Sequence, residues 1–296
     1  MAEVETLSPP LPPAGPSPDA AWTYSEPDDP WAKRAIIRAI EKLTGQRHLR
    51  ALYEQNLRAP RPGESFFEAA IRLLELDLAF DETRLAAVPA RGPLVVVANH
   101  PFGVLDGIVL SALIGRRRPD IRVLTNAVLT RAPELASYLI PIDFRETDEA
   151  LTGNLAARTA SRAHLAGGGC LIVFPAGAVS TTPALHHRTA VDAEWKLFPA
   201  RLIRGARAPV LPVFFPGQNS ALFHLASHLS MTLRLGLLFH ETRRRAGSRV
   251  EIVIGPLLDP ATLEGAGDRR ALTAFLRERV YGLDPARSTE QRKSGL

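Results

Sequence analysis

One stretch of this chain, residues 94–107, restricts the fold more than any other. Its four apolar residues Leu94–Val97 predict a short strand that is buried on both faces, as in parallel sheets covered by helices. A turn containing proline and glycine follows, and Asp106 then opens an apolar run of helical length. A buried strand that leads through a tight turn into a helix is the repeating unit of open α/β sheets.

His100 and Asp106 lie in and just after this turn, with five residues between them. Histidine exchanges a proton near neutral pH, and an aspartate can accept the hydrogen of its second ring nitrogen and hold one tautomer. Ligands of open α/β sheets bind beyond the carboxyl ends of the strands, which is where His100 falls. The pair is therefore a candidate for acid–base catalysis, although the same residues also suit a hydrogen bond that only stabilises the turn.

The chain after Gly92 alternates between strand-like and helix-like segments. The predicted strands are 94–98, 121–124, 170–174, 209–215 and 250–254, and the predicted helices are 106–114, 128–138, 151–166, 221–239 and 268–281. Strands separated by helix-length segments predict an α/β fold with an open mixed, largely parallel sheet flanked by helices.

Four regions follow from composition and periodicity. Residues 1–30 contain eight prolines and are expected to be a disordered tail, because they cannot bury enough surface to become ordered. Residues 31–85 predict an N-terminal helical layer, in which Ser65 and Glu68 form a capping box. The apolar faces of these helices meet either the core or a membrane. Residues 86–285 form the predicted α/β domain, and residues 286–296 a second tail.

Composition excludes several classes of protein. The single Cys170 rules out an intramolecular disulfide and a multi-cysteine zinc site. His224 and His228 have the spacing of metal ligands, but no third ligand is evident, so no metal is expected. The net charge is +5, and only four of the 36 basic residues are lysines. This preference for arginine is typical of proteins that bind an anionic ligand or a membrane surface, and a coding bias explains it equally well. No apolar run is long enough for a transmembrane helix, and no secretory signal or nucleic-acid module is present.

Three further segments carry residues with chemical potential. Phe144 and Arg145 follow a short apolar run, which places the arginine at the predicted rim of strand ends beside His100. Residues 174–180 form a strand end and a turn of small residues, where backbone N–H groups can approach an oxyanion closely. Residues 212–220 combine a strand, a turn and a helix cap. Each segment alone has an ordinary structural explanation.

Taken in chain order, residues 99–107, 144–145, 174–180 and 212–215 resemble the four blocks of the glycerolipid and lysophospholipid acyltransferase family, over about residues 85–255. The resemblance implies that His100 and Asp106 are catalytic. It also implies that the second and third blocks bind the acceptor, through Phe144, Arg145, Pro175, Gly177 and Ser180.

Two departures from the family pattern narrow the expectation. Five residues rather than four separate His100 from Asp106, which resembles a bacterial branch that includes lyso-ornithine-lipid acyltransferases. Ala176 stands where the third block usually carries glutamate, and we expect this loss of a polar group to disfavour glycerol 3-phosphate as acceptor.

The resemblance implies an O-acyltransferase of membrane lipid synthesis that needs no metal or organic cofactor. The donor would be a fatty acyl thioester on coenzyme A or acyl carrier protein, and the acceptor a lysolipid hydroxyl. Backbone donors near Gly103 or Gly177 are the candidates for holding the oxyanion. The protein is expected to lie peripherally on the cytoplasmic face of the inner membrane. Two alternatives are lyso-ornithine lipid as the acceptor and a non-catalytic lipid-binding protein that keeps the fold.

Overall fold

A six-stranded sheet with helices on both faces forms the centre of the protein, in a computed structural model that describes residues 23–25, 28–126, 135–142 and 148–287. The strands are β1 (Asp77–Ala79), β2 (Leu94–Ala98), β3 (Ile121–Asn126), β4 (Leu139–Ile142), β5 (Cys170–Val173), β6 (Val210–Phe214), β7 (Arg249–Glu251) and β8 (Val253–Ile254). The helices are α1 (Trp31–Thr44), α2 (Gln46–Arg58), α3 (Phe66–Leu73), α4 (Glu82–Ala86), α5 (Val104–Gly115), α6 (Asp148–Ala166), α7 (Leu197–Ala206), α8 (Ala221–Leu229), α9 (Met231–Gly236), α10 (Leu238–Arg244), α11 (Pro260–Gly265) and α12 (Arg269–Tyr281).

The strand order in the main sheet is β4-β3-β5-β2-β6-β8. All neighbouring pairs are parallel except β6 with β8, which is antiparallel. Strand β2 lies between β5 and β6, with Val96 in register with Ile172 on one side and Leu211 on the other. This arrangement confirms the prediction of an open, largely parallel α/β sheet.

Both faces of β2 are buried, which explains its unbroken run of apolar residues. Val95 and Val97 pack in the core that includes residues of α7 and α12. Leu94 and Val96 pack in the opposite core, which includes residues of α3 and α5. Side chains alternate between the two faces of a strand, so a central strand covered on both sides needs apolar residues at every position.

Helices α1, α2 and α3 pack against helices from later in the chain. Helix α1 contacts α9, α2 contacts α10, and α3 contacts α5. The capping box of α3 is confirmed, since the Ser65 side chain accepts from the Glu68 N–H while the Glu68 carboxylate accepts from the Ser65 N–H. Strand β1 extends these contacts by pairing in parallel with β7 in a separate two-stranded sheet.

Part of the expected N-terminal tail is held in place by a buried carboxylate. The Thr23 hydroxyl and the Tyr24 N–H each donate to Glu41 over 2.8 Å, and Glu41 of α1 is fully buried. A buried carboxylate needs such donors, and sequence composition did not reveal this requirement. Of the expected tail 1–30, the structure describes residues 23–25 and 28–30, and residues 1–22, 26 and 27 lie outside the described residues.

Three other predicted elements need correction or comment. The single helix predicted over 221–239 is divided into α8, α9 and α10. The break between α8 and α9 lies at Ser230, which is extended and whose hydroxyl caps α9 at Thr232. The strand predicted over 250–254 is split at Ile252, so that β7 pairs with β1 and β8 with β6. The helix predicted near 128–138 falls largely outside the described residues, and its last four residues form a turn.

None of the helices among these described residues combines the length and the apolar character required to cross a bilayer.

Candidate active site

Three of the four blocks meet at the carboxyl edge of the sheet, because β5, β2 and β6 are adjacent strands. Asn99, the first residue after β2, ties this edge together. Its side-chain amide donates to the Phe215 carbonyl over 2.9 Å and its side-chain oxygen accepts from the Phe215 N–H over 2.7 Å. This pair of bonds fixes the start of the first block against the end of β6.

His100 and Asp106 are in direct contact, as the spacing predicted. The imidazole Nδ1 lies 3.0 Å from Asp106 Oδ2. The same oxygen accepts from the backbone N–H groups of Phe102, over 2.8 Å, and Gly103, over 3.1 Å. Because a carboxylate oxygen accepts, His100 carries its hydrogen on Nδ1 and leaves Nε2 as the basic nitrogen.

Asp106 is fully buried in the first turn of α5. Burial raises the pKa of its carboxyl above the ordinary value, while the bonds from His100 and the Phe102 N–H, together with the charge of Arg245, act in the opposite direction. Its second oxygen, Oδ1, has no hydrogen-bond partner among the described residues. The positive end of the helix dipole also favours a carboxylate at this position.

Gly103 makes the tight turn between histidine and aspartate possible. Its φ of 75° lies in the region that residues with a side chain rarely adopt. A Cβ atom there would also lie 3.2 Å from the Val179 side chain. The turn therefore requires glycine, both for its backbone conformation and for its close approach to the third block.

The His100 ring is held by packing as well as by Asp106. The Phe174 ring stacks on it with a centroid distance of 4.2 Å and an interplanar angle of 24°. The histidine side chain keeps 18% of its surface exposed, whereas the Asp106 side chain has none. A ring that is fixed on one face and at Nδ1, yet open to solvent elsewhere, can exchange a proton with a bound molecule.

The match to a known family agrees with this geometry. A sequence model of a family described as "Acyltransferase" matches residues 28–289, which is most of the chain. The chain belongs to this acyltransferase family.

Two curated relatives of the acyltransferase have the same name, lyso-glycine lipid O-acyltransferase. The one from Phocaeicola vulgatus is 25% identical over 259 residues, covering 84% of this chain and 88% of the relative. The one from Bacteroides thetaiotaomicron is 26% identical over 202 residues, covering 67% of this chain and 69% of the relative. A crystal structure of the 1-acyl-sn-glycerophosphate acyltransferase PlsC from Thermotoga maritima matches 85% of this chain and 80% of its own, with 17% identity and a TM-score of 0.48.

Three of the five residues predicted to bind the acceptor lie among the described residues of the acyltransferase. Phe144 and Arg145 lie outside the described residues. Pro175 and Ser180 are buried, and Gly177 is half-buried. The Ser180 hydroxyl donates to Asp192 and is turned away from solvent.

The structure bears on two expectations, one about position 176 of the third block and one about the donors to the oxyanion. The Ala176 side chain is buried in the core beside β5, so position 176 gives no support to an effect on acceptor choice. The N–H of Gly103 donates to Asp106 and that of Gly177 donates to the Phe174 carbonyl. These two N–H groups are therefore already engaged and are not free donors for an oxyanion.

Sequence patterns did not reveal the importance of Arg245. Arg245 ends a run of three arginines, of which Arg243 and Arg244 are exposed. The Arg245 guanidinium instead lies 3.4 Å from the centroid of the Phe102 ring and donates to the Gln218 carbonyl over 2.7 Å. Burial lowers its pKa, while the charge of Asp106 acts in the opposite direction. Arg245 thus supplies a positive charge behind the His100–Asp106 turn, and only the tertiary structure reveals it.

The two histidines with metal-ligand spacing make other contacts. His224 Nδ1 lies 3.3 Å from the Thr181 hydroxyl, and His228 Nε2 lies 2.9 Å from the Thr182 hydroxyl. Burial lowers the pKa of His224. These contacts attach α8 to the segment that follows the third block.

Proposed function

We propose that this acyltransferase moves a fatty acyl group from an acyl thioester to the hydroxyl of a lysolipid, with His100 as the general base. The observation that carries the proposal is the His100–Asp106 pair, in which a buried carboxylate orients a partly exposed imidazole at the carboxyl edge of the sheet. The relatives' activity as lyso-glycine lipid O-acyltransferases supports a lysolipid acceptor.

In the proposed reaction, His100 Nε2 removes the proton from the acceptor hydroxyl as its oxygen attacks the thioester carbonyl carbon. Asp106 stabilises the imidazolium that forms, through the bond to Nδ1. The tetrahedral intermediate collapses with cleavage of the carbon–sulfur bond, and the departing thiolate takes the proton from Nε2. The products are an ester on the lipid and a free thiol, so the chemistry balances without a cofactor.

The fatty chain of a substrate has an apolar cavity available beside α5. The cavity has a volume of about 150 Å³, the size of an engineered apolar cavity that binds benzene. Val104 and Ile108 of α5 line one side, and Tyr53, Phe66 and Ala70 line the layer opposite. Val104 and Ile108 belong to the same helix as Asp106, so the cavity borders the helix that carries the proposed catalytic aspartate.

We also propose that the protein meets its lipid substrate through the outward side of α8 and the start of α9. The exposed fractions there are 53% for Leu222, 47% for Leu225, 66% for Leu229 and 59% for Met231. No Asp, Glu, Lys or Arg occurs between Gln218 and Leu233. Contiguous exposed apolar side chains mark interaction surfaces, and Thr181 and Thr182 attach this helix to the segment beyond the third block.

The test is an acyl-transfer assay with purified protein and one labelled acyl chain, presented on coenzyme A and on acyl carrier protein. Lyso-glycine lipid, lyso-ornithine lipid, lysophosphatidate and glycerol 3-phosphate are offered in turn as acceptors. We expect transfer to a monoacylated lipid, an amino-acid lysolipid above all, and a loss of about 10²–10⁴ in the His100→Ala variant. Transfer only to glycerol 3-phosphate, or normal turnover by a folded His100→Ala variant, would contradict the proposal.

A further inference from the structure

Asp192 is a buried carboxylate that belongs to none of the four blocks. It is only 4% exposed, and its side chain is surrounded by hydrogen-bond donors. Oδ1 accepts from the His100 backbone N–H over 3.1 Å and from the Ser180 hydroxyl, and Oδ2 accepts from Trp195 Nε1 over 2.8 Å. A buried charge is tolerated only with such partners, and two of the three come from the first and third blocks.

The contacts between these blocks close into a ring around the main chain of His100. The Ser180 N–H donates to the His100 carbonyl over 2.8 Å. The His100 N–H and the Ser180 hydroxyl both donate to the same oxygen of Asp192. Both polar groups of His100's main chain are therefore fixed, one directly by Asp192 and the other by the serine that Asp192 holds.

Asp192 is itself anchored to the end of the chain's last long helix. Its backbone N–H donates to the hydroxyl of Tyr281 in α12 over 2.8 Å. Tyr281 packs edge-on against Phe214 at the end of β6. The carboxylate is thus attached to the sheet and to a helix, which gives it a fixed position from which to hold the His100 turn.

From these contacts we infer that Asp192 and Ser180 are a positioning pair for His100, and that Ser180 serves this pair rather than the acceptor. The inference rests on the proposed function, in which His100 is the base. Asp106 orients the imidazole through Nδ1, and Asp192 with Ser180 fixes the backbone that carries it. A misplacement of about 1 Å at a reacting group can cost about 10²-fold in rate, so the loss of this pair should lower kcat.

Kinetics of Ser180→Ala and Asp192→Asn, with Ser161→Ala as a matched control, distinguish positioning from acceptor binding. Ser161 is also a buried serine, and its hydroxyl donates to the Ala157 carbonyl in α6. We expect each of the first two variants to lose about 10- to 100-fold in kcat with an acceptor KM within about twofold of wild type. The double variant should lose little more than the worse single variant, because the two residues act as one unit.

Two kinetic outcomes would overturn the inference. A raised acceptor KM with an unchanged kcat in Ser180→Ala would show that the serine binds the acceptor. A loss of kcat no larger than that of Ser161→Ala would show an ordinary structural role. Melting temperatures of all variants, measured alongside, identify any that fail to fold, and Ser180→Thr, which keeps the hydroxyl, should recover part of kcat.

Nitrogen NMR of the histidine rings supplies a readout that does not need turnover. In the wild type, we expect the His100 signals of the tautomer with the hydrogen on Nδ1. In Ser180→Ala, these signals should shift, because the ring moves relative to Asp106 when its backbone is released. His100→Ala assigns the signals. Unchanged His100 signals in both Ser180→Ala and Asp192→Asn would refute the inference, whether or not the protein transfers an acyl group to any acceptor. Absence of acyl transfer by the wild type would refute only the proposed function.

Discussion

Replacing Asp106 with asparagine removes the negative charge beside His100 while it keeps nearly the same side-chain shape. In the structure, a single oxygen of Asp106 accepts all three bonds, from His100 Nδ1 and from the N–H groups of Phe102 and Gly103. An asparagine carbonyl oxygen in that place keeps all three. The flipped amide would instead direct its NH₂ group at two backbone N–H donors, so we expect the unflipped orientation.

This geometry sets the size of the expected effect. In serine proteases, the corresponding change forces the wrong histidine tautomer and costs about 10⁴ in kcat. Here the two backbone donors prevent the flip, and the remaining loss is the charge of the acceptor. A hydrogen bond to a charged group contributes about 1.5–3 kcal/mol, which corresponds to about a 10- to 150-fold lower kcat.

The assay compares kcat for acyl transfer in wild type, Asp106→Asn and His100→Ala, with melting temperatures as a check on folding. We expect His100→Ala to be the slowest, because it lacks the base itself. A loss near 10⁴ in a well-folded Asp106→Asn would show that the amide flips despite the backbone donors. A loss below about threefold would show that the reaction does not use the carboxylate charge.

Three further predictions concern stability, membrane binding and chain length. Burial raises the pKa of the Asp106 carboxyl, so the folded protein binds a proton there more tightly than the unfolded chain does. The free energy of unfolding therefore falls as the pH rises from the ordinary carboxyl pKa through the raised one. The melting temperature of Asp106→Asn relative to wild type should therefore be higher at pH 8 than at pH 4, and a pH-independent difference would refute this reasoning. The double variant Leu225→Glu with Leu229→Glu should bind anionic vesicles at least about tenfold more weakly in a sedimentation assay, since each leucine that the membrane buries contributes about 1.5–3 kcal/mol. The control Leu155→Glu changes a leucine on α6 that is 62% exposed and should not weaken binding. Equal vesicle binding by both variants would exclude the α8 surface. Ala70→Phe fills the apolar cavity and should lower kcat/KM for long-chain donors about tenfold relative to short ones, the effect of about two lost methylene contacts; an unchanged chain preference would place the acyl chain elsewhere.

The sequence by itself determined the features that depend on neighbouring residues. The strand, turn and helix of residues 94–115 follow from local apolar pattern and turn chemistry, and they bring His100 and Asp106 together across only five residues. The alternation of strands and helices then predicted a parallel sheet, and parallel strands place their carboxyl ends at one edge. The first, third and fourth blocks follow β2, β5 and β6, which are neighbouring strands of that sheet.

Only the tertiary structure decided which distant residues support that site. Asp192 lies 92 residues from His100 in the chain, and Arg245 reaches Phe102 from the end of α10. No local periodicity marks either residue, because their roles depend on burial that the packed helices create. The same is true of Glu41, whose carboxylate holds residues 23–25, and of Ser180, whose hydroxyl faces Asp192. Local sequence thus specified the turn that joins His100 to Asp106, while long-range packing specified the buried charges that hold it.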